Sequence, residues 1–475
     1  MLYSLNNNFY GFSNNSSKKN STLYVVDNLD ELVKKKIISK KDKQYFYENH
    51  KIGEVFTKPE LDNDLLLSIT ILKPSSTHRK STIDTSSKIA KNLKNKNWDI
   101  YFSSNFLNID IYNFLIGWGL SFYNFSFNKK KDKNKFLNLN SLKTFPSKLI
   151  QNCQTELDGI FLARDLINLP ANLLNPSEYE KIIKREFKKK NTKITIFKGK
   201  NFKSQFPLIY AVGRSSEYQP RLIEIEWKQK KNKPYIIIIG KGVTFDTGGL
   251  DIKPSSGMLL MKKDMGGSAI ATALAKTLIA QDFKVNLKLI IPIVENAISE
   301  KSMRPMDIIY SRNKTPIEIG NTDAEGRLIL ADAITFAQEE KTKVDLIIDF
   351  ATLTGAARVA LGTEMPALFS NNKNLAQTII EKSNITNDPL WELPLFSSYE
   401  RHLHNDNGTL SSTGFSGTGG AITAALFLQR FINNNTNWVH IDLMGWNVTG
   451  RPGYPKGGEA SSFRTILHSL DKLYN

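Results

Sequence analysis

Five consecutive strand-forming residues, Tyr235 to Ile239, run straight into Gly240-Lys241-Gly242, and this junction restricts the fold more than any other stretch. A wholly apolar run of this length ending in glycine reads as a strand buried on both faces that delivers a loop at its C-terminal end. Comparable runs at Lys193 to Phe197, Leu287 to Val294 and Val344 to Phe350 alternate with helical stretches at Gly267 to Leu278, Glu325 to Gln338 and Ile422 to Phe431. Such alternation predicts an α/β fold in which a mixed, largely parallel sheet is covered by helices on both faces. Open sheets of this type bind ligands just beyond the carboxyl ends of their strands.

The first part of the chain differs in texture, being rich in Asn, Lys, Ser and aromatics, yet Leu65 to Leu72 and Asn108 to Phe125 are apolar enough for core elements. The expected organisation is a smaller N-terminal α/β domain at 1–148, a connecting helix at 149–169 and a larger C-terminal domain at 170–475. A chain of 475 residues is long enough to build two cores. Ser13 to Asn20 and Asn128 to Asn138 read as exposed loops.

Cys153 is the single cysteine, which rules out an internal disulfide and fits a reducing compartment. Neither a secretory leader pattern nor an apolar run long enough to span a bilayer is found, so a cytoplasmic protein without membrane contact is expected. The net charge, 64 − 46 = +18, would suit an anionic partner. The basic runs Lys34-Lys35-Lys36 and Lys129-Lys130-Lys131 sit in no recognisable nucleic-acid module, however, and nucleic acid is not an expected partner.

Chemistry enters with Asn321-Thr322-Asp323-Ala324-Glu325-Gly326-Arg327-Leu328. If extended, the segment projects Asp323, Glu325 and Arg327 to one side. Neighbouring acids repel unless something positive lies between them, which makes a bound cation their natural partner. Read alone, the same residues serve equally as a polar turn capping the apolar run from Leu328. The loop after Gly240 adds Lys241, Asp246, Lys253 and Asp264. Oxygen donors with one amine would accept Zn, Mn, Co or Mg. The histidines are scattered, and His402 with His404 lacks the spacing of a helical zinc motif.

Together and in this order, the two segments resemble the cytosol (leucyl) aminopeptidases, two-metal exopeptidases whose hallmark octapeptide is matched without a substitution. Agreement begins near Arg164-Asp165-Leu166-Ile167-Asn168-Leu169-Pro170 and continues through Ala351-Thr352-Leu353-Thr354-Gly355-Ala356, Gly419 to Leu426 and His440-Ile441-Asp442. The resemblance implies that Lys241, Asp246, Asp264, Asp323 and Glu325 hold two divalent ions, Zn or Mn, with Asp246 and Glu325 bridging. It implies that Lys253 and Arg327 are the catalytic pair, Arg327 holding a bicarbonate that acts as base. A metal-bridging hydroxide would attack the first peptide bond of peptide substrates, releasing N-terminal residues, hydrophobic ones such as leucine among them. Two ions about 3.5 to 4 Å apart would clamp attacking oxygen and oxyanion alike.

By the same resemblance, Met261, Thr352 and Gly355 line the pocket for the first residue, with Met444 and Asn447 on its wall. Met444 stands where many relatives carry alanine, and a wall bulkier by a methylene or two is worth about 1–3 kcal/mol of discrimination. The stretch Arg451 to Ala460 looks like a subgroup with this altered wall. Lys262 and Lys263 read as solvated surface charges. The resemblance also implies a homohexamer of two stacked trimers. A two-metal phosphoester hydrolase would use carboxylate pairs too, but a lysine in the metal shell weighs against it. A non-catalytic scaffold would be expected to have lost a ligand, Lys253 or Arg327, and all are kept.

Overall fold

The structure, a computed structural model, describes residues 10–14, 20–60, 65–73, 81–94, 96–127, 136–142, 145–188, 191–228, 232–340, 342–414 and 417–474. The chain forms two compact units, residues 1–161 with 449–456, and residues 162–448 with 457–475.

In the first unit the strands lie in the order Phe12–Ser13, Phe136–Asn138, Asn97–Phe102, Ser21–Val26, Leu66–Ile71 and Val55–Pro59. Neighbours are parallel except the last pair, which is antiparallel. Every residue of Leu66–Ile71 is buried, as suits a strand that is apolar or β-branched at all positions but Ser68. Phe136–Asn138 departs from the exposed loop expected there: Leu137 is fully buried and pairs with Trp98, so its apolar side chain outweighs the polar sequence around it. Residues 128–135 of that expected loop, and 15–19 of the other, lie outside the described residues. The helix Ser147–Asn168 follows, and the chain passes from the first unit to the second within it.

The sheet of the second unit has at its centre Tyr235–Gly240, flanked by Leu346–Ala351 on one side and Asn286–Asn296 on the other. Asn437–Asp442 lies beyond Leu346–Ala351, and all four run parallel. Gly242–Asp246 extends the parallel set along the far end of Asn286–Asn296. Antiparallel strands Arg221–Trp227 and Lys193–Phe197 close one edge; Ala367–Ser370, antiparallel to Asn437–Asp442, leads to Trp391–Glu392 at the other. The sheet is therefore mixed and largely parallel, as the alternation of runs predicts.

Ile236, Ile237, Ile238 and Ile239 are wholly buried, and each contributes about 1.5–3 kcal/mol relative to an exposed side chain. The alanine-rich helix Gly266–Ala280 packs closely on this strand, because Gly240 carries no side chain: a Cβ there would stand 2.4 Å from the Cα of Ser268. Because the central strands are parallel, Gly240, Ala351, Asp442 and Asn296 end at the same edge of the sheet. The residues that follow them meet there.

The octapeptide is not extended through its length. Glu325 opens the helix Glu325–Ala337, whose apolar positions Leu328, Ile329, Leu330, Ala333 and Ile334 are fully buried. The helical period of those residues decides the conformation, so Glu325 and Arg327 occupy the first turn of a helix rather than one face of a strand.

Candidate active site

At this edge the strand Tyr235–Gly240 delivers Lys241, Gly242–Asp246 ends in Asp246, the short helical turn Met261–Met265 carries Asp264, and the first turn of Glu325–Ala337 brings Glu325, with Asp323 just before it. Lys241 Nζ stands 2.8 Å from Asp264 Oδ2 and 2.9 Å from Glu325 Oε1. Its hydrogen bond goes to the backbone carbonyl of Thr352 at 2.8 Å. Lys253 Nζ lies 2.9 Å from Asp246 Oδ2 and also contacts Asp323 Oδ1. Asp246, Asp323 and Glu325 each offer an oxygen within 4.8 Å of the others.

The acids are held by further groups, among them Asn296, which no sequence pattern singled out. Asn296, at the end of its strand, donates 2.8 Å to Asp246 Oδ1 and 3.2 Å to the carbonyl of Thr322. Gly248 N–H adds a second bond, 2.9 Å, to Asp246 Oδ1. Thr352 Oγ1 donates 2.8 Å to Asp264 Oδ1. The two acid-bearing loops are cross-braced: Thr322 N–H donates to Asp251 Oδ2 at 2.7 Å, and Thr322 Oγ1 donates to the Gly248 carbonyl at 2.6 Å. A strand terminus ending in Asn and a Thr between the motif's Asn and Asp were the available signals for Asn296 and Thr322.

Despite these supports, the buried oxygens Asp264 Oδ2, Asp323 Oδ1 and Glu325 Oε1 meet only the ammoniums of Lys241 and Lys253, and Glu325 Oε2 accepts no hydrogen bond. Burial, together with the nearby charge of Asp264, lifts the Asp246 carboxyl to about 6, and burial with the charge of Asp246 holds Glu325 well above its ordinary range. Converging buried acids with open lone pairs are the arrangement a multivalent cation satisfies. A second trio, Glu224, Glu226 and Glu340, contrasts with it. There Lys288 Nζ sits among the acids, 2.5 Å from Glu224 and 3.3 Å from Glu226, and no buried oxygen of the trio lacks a hydrogen-bond partner. The residues present at the first cluster fit a divalent metal; those at the second do not call for one.

Arg327 is buried, its Nη1 donating 2.7 Å to the carbonyl of Ser412, while its Nε lacks a hydrogen-bond partner. Burial draws its guanidinium down to about 10, which leaves it cationic at neutral pH. It lines a cleft of about 260 Å³ that also touches Asp323, Thr354 and Gly355. Asp442 fixes one wall by accepting from Leu353 N–H and Thr354 N–H, both 3.1 Å, and from Thr354 Oγ1 at 2.5 Å.

Of the residues expected to line a pocket, Met261 and Thr352 are buried and Gly355 is exposed at the cleft. Met444 is half-buried beside Gly445, whose own Cβ position lies 3.2 Å from Thr352 Cγ2. Asn447 is turned to Glu459, donating 2.5 Å to its Oε2, and Arg164 grips the same carboxylate at 3.0 Å. Lys262 and Lys263 are not the solvated charges expected. Lys262 donates 2.7 Å to the Asn168 carbonyl and lies over the ring of Trp446, and Lys263 is buried, which pushes its ammonium down to about 8.

The catalytic-domain profile of the cytosol aminopeptidase family matches residues 161–467. The chain belongs to the cytosol aminopeptidase family. A probable cytosol aminopeptidase of Ehrlichia ruminantium (strain Gardel) is 38% identical over 376 residues, covering 76% of this chain and 75% of that protein. One from Chlamydia abortus is 40% identical over 323 residues, 66% of this chain and 64% of its own length. Among solved structures, the cytosol aminopeptidase of Coxiella burnetii superposes with a TM-score of 0.87 at 38% identity, covering 97% of this chain and 99% of that one. The bottromycin maturation enzyme BotP in complex with Mn gives 0.84 at 25% identity, covering 96% and 100%. The protein is a metal-dependent aminopeptidase, a hydrolase of peptides, with the α/β fold of that family. No helix among the described residues is long and apolar enough to cross a membrane.

Proposed function

We propose that Lys241, Asp246, Asp264, Asp323 and Glu325 hold two divalent ions, Zn or Mn, with Asp246 and Glu325 shared between them, and that this centre removes N-terminal residues from peptides. The observation that carries the reading is the convergence of buried acid oxygens, of which Asp264 Oδ2, Asp323 Oδ1 and Glu325 Oε1 meet only lysine ammoniums and Glu325 Oε2 accepts no hydrogen bond. Two ions at such a site supply Lewis acidity toward the carbonyl and toward water, and a seat for a neutral α-amine. That seat explains the preference for a free N-terminus, since an internal peptide nitrogen would leave it unfilled.

Around the ions the chain's own groups have separate tasks. Lys253 is kept cationic: burial opposes its charge, but Asp246 and Asp323 more than compensate, and its ammonium is suited to the charge that grows on the scissile carbonyl oxygen. Arg327 stays charged, and its open Nε edge suits a small planar anion such as bicarbonate, which would take the proton from the attacking water. Met261, Thr352 and Gly355, with Met444 and Asn447, line the pocket for the first side chain, hydrophobic residues such as leucine among them.

Assembly as a homohexamer agrees with the exposure of Leu250, Ile252 and Leu259 beside the site and of Val359, whose apolar side chains need cover. A cytoplasmic setting agrees with the buried Cys153, which forms no disulfide. Nucleic acid is assigned no part. The deciding experiment is hydrolysis of leucine p-nitroanilide before and after chelation: loss of activity on chelation and its return with Zn or Mn is the expected result, and full activity without metal would overturn the reading.

A further inference from the structure

The strand Asn437–Asp442 lies parallel to Leu346–Ala351 with Asp442 level with Ala351, and Leu443 N–H closes that ladder on the Ala351 carbonyl at 2.9 Å. Past this point the chain leaving Ala351 is held by a side chain. The amides of Leu353 and Thr354 both donate to Asp442 Oδ1 at 3.1 Å, and Thr354 Oγ1 donates 2.5 Å to Oδ2. The same Thr354 oxygen accepts from Ala357 N–H at 3.0 Å, so it also caps the helix Gly355–Leu361.

Asp442 is only 2% exposed, and among the described residues its oxygens meet these neutral donors and no cation. Keeping a carboxylate out of water without a counter-charge is costly, and ending a strand does not require one. The segment it grips serves both halves of the site. Thr352, just before the gripped amides, accepts from Lys241 Nζ on its carbonyl at 2.8 Å, and its hydroxyl donates 2.8 Å to Asp264 Oδ1 and 3.0 Å to the Asp264 carbonyl. Leu353, Thr354 and Gly355 line the cleft that Arg327 also lines.

We infer that Asp442 is a positioning residue for the reaction: through the segment Thr352 to Gly355 it holds Lys241 and Asp264 on one side and the cleft wall on the other. It rests on the aminopeptidase reading of the site and gives the His440-Ile441-Asp442 motif a task there. Asp442 contacts neither of the acids and lysines proposed to hold metal nor the cleft itself, so its effect passes through hydrogen bonds to the main chain and to one hydroxyl.

Asp442→Ala and the near-isosteric Asp442→Asn are compared with the wild type by titrating the metal-stripped enzyme with Mn, by kcat on leucine p-nitroanilide at saturating Mn, and by thermal melting. Asp442→Ala removes every bond to the segment. At a temperature where it is folded, its Mn affinity should fall by about 10- to 100-fold and its kcat by about 100-fold. Asp442→Asn keeps Oδ1 for the two amides and should hold both quantities within about tenfold of the wild type, which marks placement rather than charge as what Asp442 supplies. Wild-type affinity and kcat in Asp442→Ala, or equal damage in Asp442→Asn, overturns the inference. If Asp442→Ala does not fold, Thr354→Val and Thr354→Ser decide, since the first deletes the bond to Oδ2 and the second keeps it: a drop in affinity and kcat for Thr354→Val alone supports the inference, and equal values in the two overturn it. A wild type that binds Mn but leaves leucine p-nitroanilide intact overturns the aminopeptidase reading, and the Mn affinities of the variants then still decide the role of Asp442.

Discussion

Gly326 and Lys241 interlock: a Cβ on Gly326 would stand 2.6 Å from Lys241 Cε and 2.8 Å from its Nζ. The helix that presents Glu325 and Arg327 thus packs directly on the lysine proposed to ligate metal, and only a missing side chain permits it. Gly326→Ala should push the amine off its position. We expect a loss of stability of about 1–3 kcal/mol from overpacking. We also expect a fall in kcat of about 100-fold, since a misplacement near 1 Å is enough for that. Thermal melting and steady-state kinetics on leucine p-nitroanilide check the two parts, and wild-type kinetics would refute the tight fit.

Metal content separates ligands from their supports. Asp264→Asn should bind fewer ions per subunit, read by elemental analysis after dialysis. Thr352→Val removes the two Oγ1 bonds to Asp264, 2.8 Å to Oδ1 and 3.0 Å to its carbonyl, and should weaken metal affinity roughly 10- to 100-fold while leaving a site that fills at higher metal concentration. Equal metal content in wild type and Asp264→Asn under limiting metal would exclude Asp264 from the shell.

Lys253 and Arg327 should behave as groups that act on the transition state. Lys253→Ala and Arg327→Ala are each expected to lower kcat by about 10² to 10³, with smaller changes in KM. Bound metal should stay near the wild-type level, since neither residue is assigned to the shell. Bicarbonate or another small oxyanion added to Arg327→Ala should restore part of the rate if that guanidinium holds the anion.

A pH effect on stability is expected from the sheet rather than from the active site. His440 Nδ1 lies 2.6 Å from Asp349 Oδ1, both fully buried, with Trp438 Nε1 donating 2.7 Å to the other oxygen. Burial alone would lower the imidazole's pKa, but the charge and hydrogen bond of Asp349, aided by Asp442, outweigh it and raise it. A histidine with a raised folded pKa contributes stability that is complete below its unfolded value of about 6.5 and is lost as pH rises through the folded value. The wild type should therefore lose more urea resistance than Asp349→Asn between mildly acidic and alkaline pH. The same slope in both proteins would refute the coupling.

Much of the site was readable in the sequence because its chemistry is packed into short motifs. Lys241, Asp246 and Lys253 lie in one short stretch, and Asp323, Glu325 and Arg327 share one octapeptide, so their assembly needs only that two segments meet at one sheet edge. The supports were harder to see. Asn296 reaches Asp246 across 50 residues, Ser412 reaches Arg327 across 85, and Glu459 reaches Arg164 across 295, and no local pattern encodes such distances. The extended reading of Asp323 to Arg327 failed because alternation over a few polar residues is weaker than the helical period of the apolar residues after them. Lys263 was misjudged for a related reason: composition places lysines at the surface, and only tertiary packing shows that this one is enclosed.

The brace between Thr322, Asp251 and Gly248 reaches beyond the reaction itself. Because ordinary main-chain and hydroxyl bonds already tie the two acid loops together, the nest is shaped before any guest arrives. A divalent ion would then meet oxygens already in place, with no loop left to fold around it.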